Sequence, residues 1–230
     1  MATIAENLQA VKARIDRAAR AARRPASAVT LLAVSKAHPA ALVAQARDAG
    51  QRAFGENYVQ EALEKIGALG AAASELEWHL IGPLQSNKTR PAAEHFAWVQ
   101  TVQSERIARR LSEQRPAGLP PLNVLIQVNV SGEASKSGVA PGEALALASA
   151  VRALPRLRLR GLMAIPEPGA PRERYAAIER LFGEMKARFE VDTLSMGMSD
   201  DLETAIAHGA SMVRVGTAIF GARARAKDAA

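Results

Sequence analysis

The 230-residue chain is 48% hydrophobic, carries a formal net charge of +7 and contains no cysteine. That length and apolar content fit one domain over residues 1–230 with a single large core, and the missing cysteines exclude disulfides, thiolate metal sites and cysteine nucleophiles. Charged residues interrupt every Ala/Leu-rich stretch well short of the roughly 18–20 apolar residues of a membrane span, and the N-terminus lacks a signal-peptide core, so a cytoplasmic protein with no membrane partner is expected.

In chain order, residues 3–24 carry Ile4, Leu8, Val11 and Ile15 as an apolar stripe on a charged helix that Pro25 closes. Thr30 to Val34 is a near-continuous apolar run, the mark of a strand buried on both faces, and it delivers Lys36 to its C-terminal end. Pro39 then opens a helix through Asp48 that stops at Gly50. Arg52–Phe54 reads as a second strand, running through Gly55, Glu56 and Asn57 into a helix to about Leu69. Glu77–Ile81 is a third strand, followed by a polar loop, GPLQSNKTR. Phe96–Val99 is a fourth, with a helix over Ser104–Gln114. Leu122–Val128 is the clearest strand, ending in Asn129 before a Gly/Ser-rich loop at 131–138, and a helix follows Pro141 to about Ala153. Leu157–Leu162 is a sixth strand in which Arg158 and Arg160 sit awkwardly; an early strand end reaching solvent at a barrel's bottom rim accounts for them in part. A helix over Arg172–Phe189, a strand at Thr193–Ser195, a helix over Ser199–His208 and a last strand at Met212–Val215 complete the count.

Eight strands alternating with helices, behind one extra N-terminal helix, predict an α/β fold of the (β/α)8 TIM-barrel class; an open doubly wound sheet is the alternative, disfavoured because no GxGxxG follows the first strand. In a barrel the polar residues at strand C-termini converge, here Lys36, Asn57, His79, Asn129, Ser195, Arg214 and Thr217. A partly desolvated lysine has its charged form disfavoured, and its neutral amine suits a Schiff base with an aldehyde; a surface lysine snorkelling off a strand end is the plainer reading. The loops after the seventh and eighth strands suit a phosphate: Ser199 as a helix N-cap with Asp200 and Glu203 at capping-box spacing, and Gly216 with the Thr217 hydroxyl. Each also reads as an ordinary cap or turn, and Asp200 and Asp201 oppose an anion unless they point away. Asn57 reads equally as a helix N-cap, and His79 as a hydrogen-bonded core histidine. The four histidines show no metal-ligand spacing, and with 4% aromatic residues and dispersed basic ones no specific nucleic-acid partner is expected.

Seven stretches together resemble a known family, the pyridoxal phosphate homeostasis proteins, which are similar to the N-terminal barrel of alanine racemase: LLAVSKAHP at 31–39, FGENYVQE at 54–61, WHLIGPLQSNK at 78–88, VLIQVNVSGEASKSG at 124–138, RGLMAIP at 160–166, LSMGMSDDLETAI at 194–206 and VRVGTAIFGAR at 213–223. The resemblance implies that Lys36 holds pyridoxal 5′-phosphate as a Schiff base, that Ser199, Gly216 and Thr217 hold its phosphate, that Arg214 faces the pyridine nitrogen, and that Asn57 and Met196 line the pocket. It also implies a role in buffering or delivering the cofactor inside the cell, as a monomer, with cofactor-dependent apoenzymes as partners. An always-protonated arginine at the ring nitrogen makes a weaker electron sink. Racemases with this arrangement add a tyrosine base from a second domain, whereas this chain ends at Ala230 and has only Tyr58 and Tyr175. Little or no catalysis is therefore expected. The alternatives are a racemase-like enzyme completed by a partner or dimer, and an RNA-associated regulator drawn to the basic surface.

Overall fold

The computed structural model describes residues 2–133 and 137–222. Ala134 to Lys136 of the Gly/Ser-rich loop and Arg223 of the last family stretch lie outside the described residues. Eight parallel strands, β1 (Thr30–Val34), β2 (Ala53–Glu56), β3 (Glu77–Leu80), β4 (Trp98–Val102), β5 (Leu122–Val128), β6 (Leu157–Ala164), β7 (Thr193–Ser195) and β8 (Met212–Val215), pair in sequence order and close into a barrel. The seam is β1 against β8, with Leu32 opposite Arg214 and Ala33 opposite Val215. Closure removes the exposed sheet edges and makes this a TIM barrel.

The helices α1 (Ile4–Ala21), α2 (Ala40–Asp48), α3 (Val59–Leu69), α4 (Thr89–His95), α5 (Glu105–Gln114), α6 (Ala144–Arg152), α7 (Arg172–Arg188), α8 (Leu202–Ala207) and α9 (Thr217–Phe220) surround the barrel. The extra helix α1 starts at a reciprocal cap, in which the Thr3 hydroxyl accepts from Glu6 N at 3.2 Å and the Glu6 carboxylate accepts from Thr3 N at 2.7 Å. Its stripe of Leu8, Val11 and Ile15 is buried where α1 packs on α8 and α9. Burial of such side chains contributes roughly 1.5–3 kcal/mol each. That contact places α1 behind the loops that follow β7 and β8.

Three local readings change. The stretch TRPAAEH forms the short helix α4, hidden in the sequence because it is only seven residues long and holds Pro91 in its first turn, where a proline is tolerated. That helix ends at Phe96, so β4 runs from Trp98 to Val102 and not from Phe96 to Val99. α8 begins at Leu202, with Asp201 in the N-cap position, so Ser199 is no helix cap. The awkward Arg160 closes the barrel floor: its guanidinium lies 4.7 Å over the Trp98 ring, bonds both Asp192 carboxylate oxygens at 2.9 and 2.7 Å, and reaches Asn123 Oδ1 at 3.0 Å. Arg158 beside it is exposed.

Candidate functional site

Lys36 leaves the C-terminal end of β1 on a tight turn, closed by His38 N donating to Ser35 O at 3.1 Å, with Ala37 at φ 61°. Because β1 lies between β2 and β8, the neighbours of Lys36 are fixed by sheet order. On one side Val34 pairs with Gly55, which brings Asn57 alongside; on the other Ala33 pairs with Val215, which brings Gly216 and Thr217. A cleft of about 270 Å³ opens there, lined by Lys36, Asn57, Ser199, Arg214, Gly216 and Thr217 together with Val34, His38, Ile81, Ile165, Met198 and Asp200. A second hollow of about 220 Å³ shares Asn57, Ile81 and Ile165 with it and extends to Gln127 and Asn129. Together they fall within the roughly 300–1,000 Å³ typical of small-ligand sites. A larger hollow of about 850 Å³, bounded by Arg152, Arg158 and Arg188, lies at the opposite rim, away from the strand C-termini where barrel sites form.

Six of the seven residues singled out from the sequence line this one cleft. Met196 does not: it is fully buried in the apolar core with its amide donating to Met212 O at 3.1 Å, and the methionine on the cleft is Met198, 40% exposed. Two residues on, the strand has become a loop and the side chain lines the cleft. Asn57 is not a cap either, since Tyr58 occupies the N-cap of α3 without a side-chain bond. Gly82, after β3, packs so closely on Asn57 that a Cβ there would meet Asn57 O at 2.0 Å.

The loop after β7 is braced from outside. Arg14 of α1 donates to Ser199 O at 2.9 Å and to both Glu203 oxygens at 2.9 and 3.0 Å. Asp201 turns into its own loop, accepting from Met198 N at 2.6 Å and from the Tyr175 hydroxyl at 2.8 Å. Asp200 lines the cleft at an exposed position, where water screens its charge.

Arg214 rises from β8 inside the barrel, buried, donating from Nη1 to Ser195 Oγ at 2.8 Å and from Nη2 to Ala164 O at 3.0 Å. Burial pulls its guanidinium down to about 10, which leaves it charged at neutral pH. A directional chain continues below it. Ser195 Oγ donates to Gln100 Oε1 at 2.7 Å, Gln100 Nε2 to His79 Nδ1 at 3.0 Å, and His79 Nε2 to Glu77 Oε1 at 2.8 Å. That network assigns the proton of a neutral His79 to Nε2. His79 is fully buried and stacks on Trp98 at 5.1 Å, so it is a core histidine beneath the site. Gln100 was not singled out from the sequence, although a glutamine inside an apolar strand, WVQTV, is the signal that marks it.

The match to the family described as "Alanine racemase, N-terminal domain" covers residues 7–224. The chain is 64% identical to a pyridoxal phosphate homeostasis protein of Pseudomonas aeruginosa, over 97% of each chain. The chain belongs to the pyridoxal phosphate homeostasis protein family. A relative of the same name from Escherichia coli is 57% identical over 97% of this chain and 98% of its own. The structure of PipY from Synechococcus elongatus with PLP bound superposes with a TM-score of 0.82 at 37% identity, covering 95% of this chain and all of that one. In this chain the lysine after β1 and the loops after β7 and β8 meet on one rim of the barrel.

Proposed function

We propose that this protein binds pyridoxal 5′-phosphate in the Lys36 cleft and acts as a cellular reservoir or donor of the cofactor to apoenzymes that depend on it, with little or no turnover of its own. The observation that carries the reading is that Lys36 and the two phosphate-type loops line the same cleft. The donor set fits the ligand. The Ser199 and Thr217 hydroxyls, with backbone amides in the first turn after Gly216, suit a phosphate dianion, to which charge-assisted bonds are the strong ones. A Cβ at Gly216 would sit 3.1 Å from Val34 O, so glycine keeps that cradle open beside β1. Arg214 has five N–H donors, of which Ser195 and Ala164 take two, leaving others for a ring nitrogen above. The Lys36 amine would join the aldehyde carbon as a Schiff base with loss of water.

When bound, the cofactor supplies an electrophilic carbonyl carbon and an electron-withdrawing ring. The surroundings of this cleft favour holding it over using it. Arg214 stays protonated and so disfavours a proton on the ring nitrogen. Neither tyrosine lines the cleft: Tyr58 is 66% exposed, and Tyr175 is pushed up by burial and by its bond to Asp201, which keeps its phenol protonated. Borohydride reduction of cofactor-loaded protein followed by peptide mapping tests the assignment. The reduced adduct is expected on Lys36, and an adduct mainly on Lys88 would remove it.

A further inference from the structure

Both residues that flank Lys36 are held by one buried cluster of charged side chains that lies outside the cleft. Lys65 of α3 is 5% exposed and places its ammonium 2.7 Å from Ser35 O, 2.7 Å from Glu56 Oε1 and 2.8 Å from Glu61 Oε1. Three acceptors match its three protons. The same carboxylates reach the turn directly: Ser35 Oγ donates to Glu56 Oε1 at 2.6 Å, and Ala37 N donates to Glu61 Oε1 at 2.5 Å. Glu56 is fully buried, and burial pushes its carboxyl up against the opposing pull of Lys65 and Ser35.

The turn needs such a hold. Ala37 sits at φ 61°, a left-handed conformation that costs a residue with a Cβ roughly 1–2 kcal/mol. Such a conformation persists where the surroundings over-determine it. Here Ser35 is fixed through its carbonyl and its hydroxyl, and Ala37 through its amide, so Lys36 is the one residue of the turn between two anchored neighbours. Burying a lysine with two carboxylates is not an economical way to stabilise a helix, because desolvation offsets most of the gain. What it does supply is a fixed backbone on either side of Lys36.

We propose that Glu61 and Lys65 are positioning residues for Lys36, and that their clamp on Ser35 and Ala37 presents the Lys36 amine to the aldehyde of the bound cofactor. The proposal rests on the reading of Lys36 as the cofactor lysine. It separates two properties of the site: the clamp governs how fast Lys36 captures the carbonyl carbon, while Ser199, Gly216, Thr217 and Arg214 govern how tightly the ligand sits.

Glu61→Ala and Glu61→Gln are the deciding variants, since Glu61 is partly exposed and Lys65 keeps Glu56 and Ser35 O as partners in both, whereas Lys65→Met would strand the fully buried Glu56. Gln keeps an oxygen acceptor for Ala37 N; Ala removes it. Three quantities are read in parent and variants: hydrogen exchange at the Ala37 amide without ligand, the rate at which Lys36 becomes reducible by borohydride at saturating pyridoxal 5′-phosphate, and the affinity for pyridoxine 5′-phosphate, which has an alcohol in place of the aldehyde. Glu61→Ala is expected to expose the Ala37 amide and slow capture by about tenfold to a hundredfold, the scale of a small misplacement. Affinity for the alcohol analogue should stay within about twofold of parent, and Glu61→Gln should recover most of the rate. Parent labelled on Lys36 with Glu61→Ala capturing at the same rate would overturn the clamp alone, as would equal slowing by Ala and Gln. Parent labelled on some other lysine would overturn the cofactor reading and the proposal with it.

Discussion

Arg214 donates to the Ser195 hydroxyl at 2.8 Å, and that hydroxyl spends its own proton on Gln100 Oε1 at 2.7 Å. Among the described residues, Ser195 therefore links the charged head under the cleft to the polar chain in the barrel axis. A hydroxyl can accept from one side and donate to the other; a methyl can do neither. Ser195→Ala would leave a guanidinium N–H and an amide oxygen buried without partners. Each such orphan costs about 1–3 kcal/mol, so urea unfolding of Ser195→Ala should show a loss of at least that size. A loss below about 0.5 kcal/mol would mean that the chain is slack.

The lower end of the same chain predicts a pH dependence. Burial holds His79 below its ordinary value, outweighing the bond to Glu77 that favours the charged form. The folded protein therefore binds fewer protons there than the unfolded chain does. Stability from this residue is fully present above the ordinary histidine value of about 6.5 and falls as pH drops below it toward the lower folded-state value. Glu77, held below the usual carboxylate range first by His79, adds a separate loss only under more acid conditions. Denaturant unfolding of parent and His79→Gln between about pH 7.5 and 5 should converge on acidification, by at most about 1.4 kcal/mol per pH unit. Parallel curves would show that His79 does not titrate differently on unfolding.

The proposed ligand divides its interactions unequally between its two ends. Hydrogen bonds to a phosphate dianion are charge-assisted and outweigh neutral ring contacts. Pyridoxal without phosphate should bind at least about a hundredfold more weakly than pyridoxal 5′-phosphate by fluorescence titration, a gap of about 2.7 kcal/mol. Ser199→Ala combined with Thr217→Val should narrow that gap chiefly by weakening the phosphorylated ligand. Equal affinity of the parent for both compounds would remove the phosphate role from these loops.

How far the sequence reveals this arrangement depends on how local each signal is. Lys36 is legible because a buried strand ends beside it, and Gly216 with Thr217 because a strand-to-helix turn marks its own chemistry within a few residues. The eight strands are legible for the same reason, and α4 is lost because seven residues around Pro91 carry no helical period. Gln100 and Lys65 are different: Gln100 meets Ser195 95 residues away, and although Glu61 lies one turn from Lys65, the Ser35 carbonyl that Lys65 holds is 30 residues away, so their own neighbourhoods do not state what they hold in the site. Met196 and Met198 both sit in the motif LSMGMSDDLETAI, but only the course of the chain after β7 decides which one lines the cleft and which enters the core.

In the proposed reading, the charge of Arg214 is what keeps the site chemically quiet. A protonated guanidinium at the ring nitrogen disfavours a proton there, and loss of an amino acid's α-hydrogen is then poorly stabilised. Reversing the charge with glutamate is a poor test in this setting, because a carboxylate would be buried against Ala164 O, a carbonyl that loses its Arg214 donor in the same change. Arg214→Gln keeps a neutral donor for Ser195 Oγ and removes the charge. The measurement is exchange of the α-hydrogen of alanine with solvent deuterium, in parent and variant, each saturated with pyridoxal 5′-phosphate and checked for folding. Parent protein is expected to exchange no faster than the free cofactor does, and Arg214→Gln to rise above it if the charge is what restrains the ring. Inert behaviour in both would shift the explanation to the missing base, consistent with Tyr58 and Tyr175 both lying off the cleft. Enzyme-like exchange by the parent would replace the carrier reading with a racemase-like one.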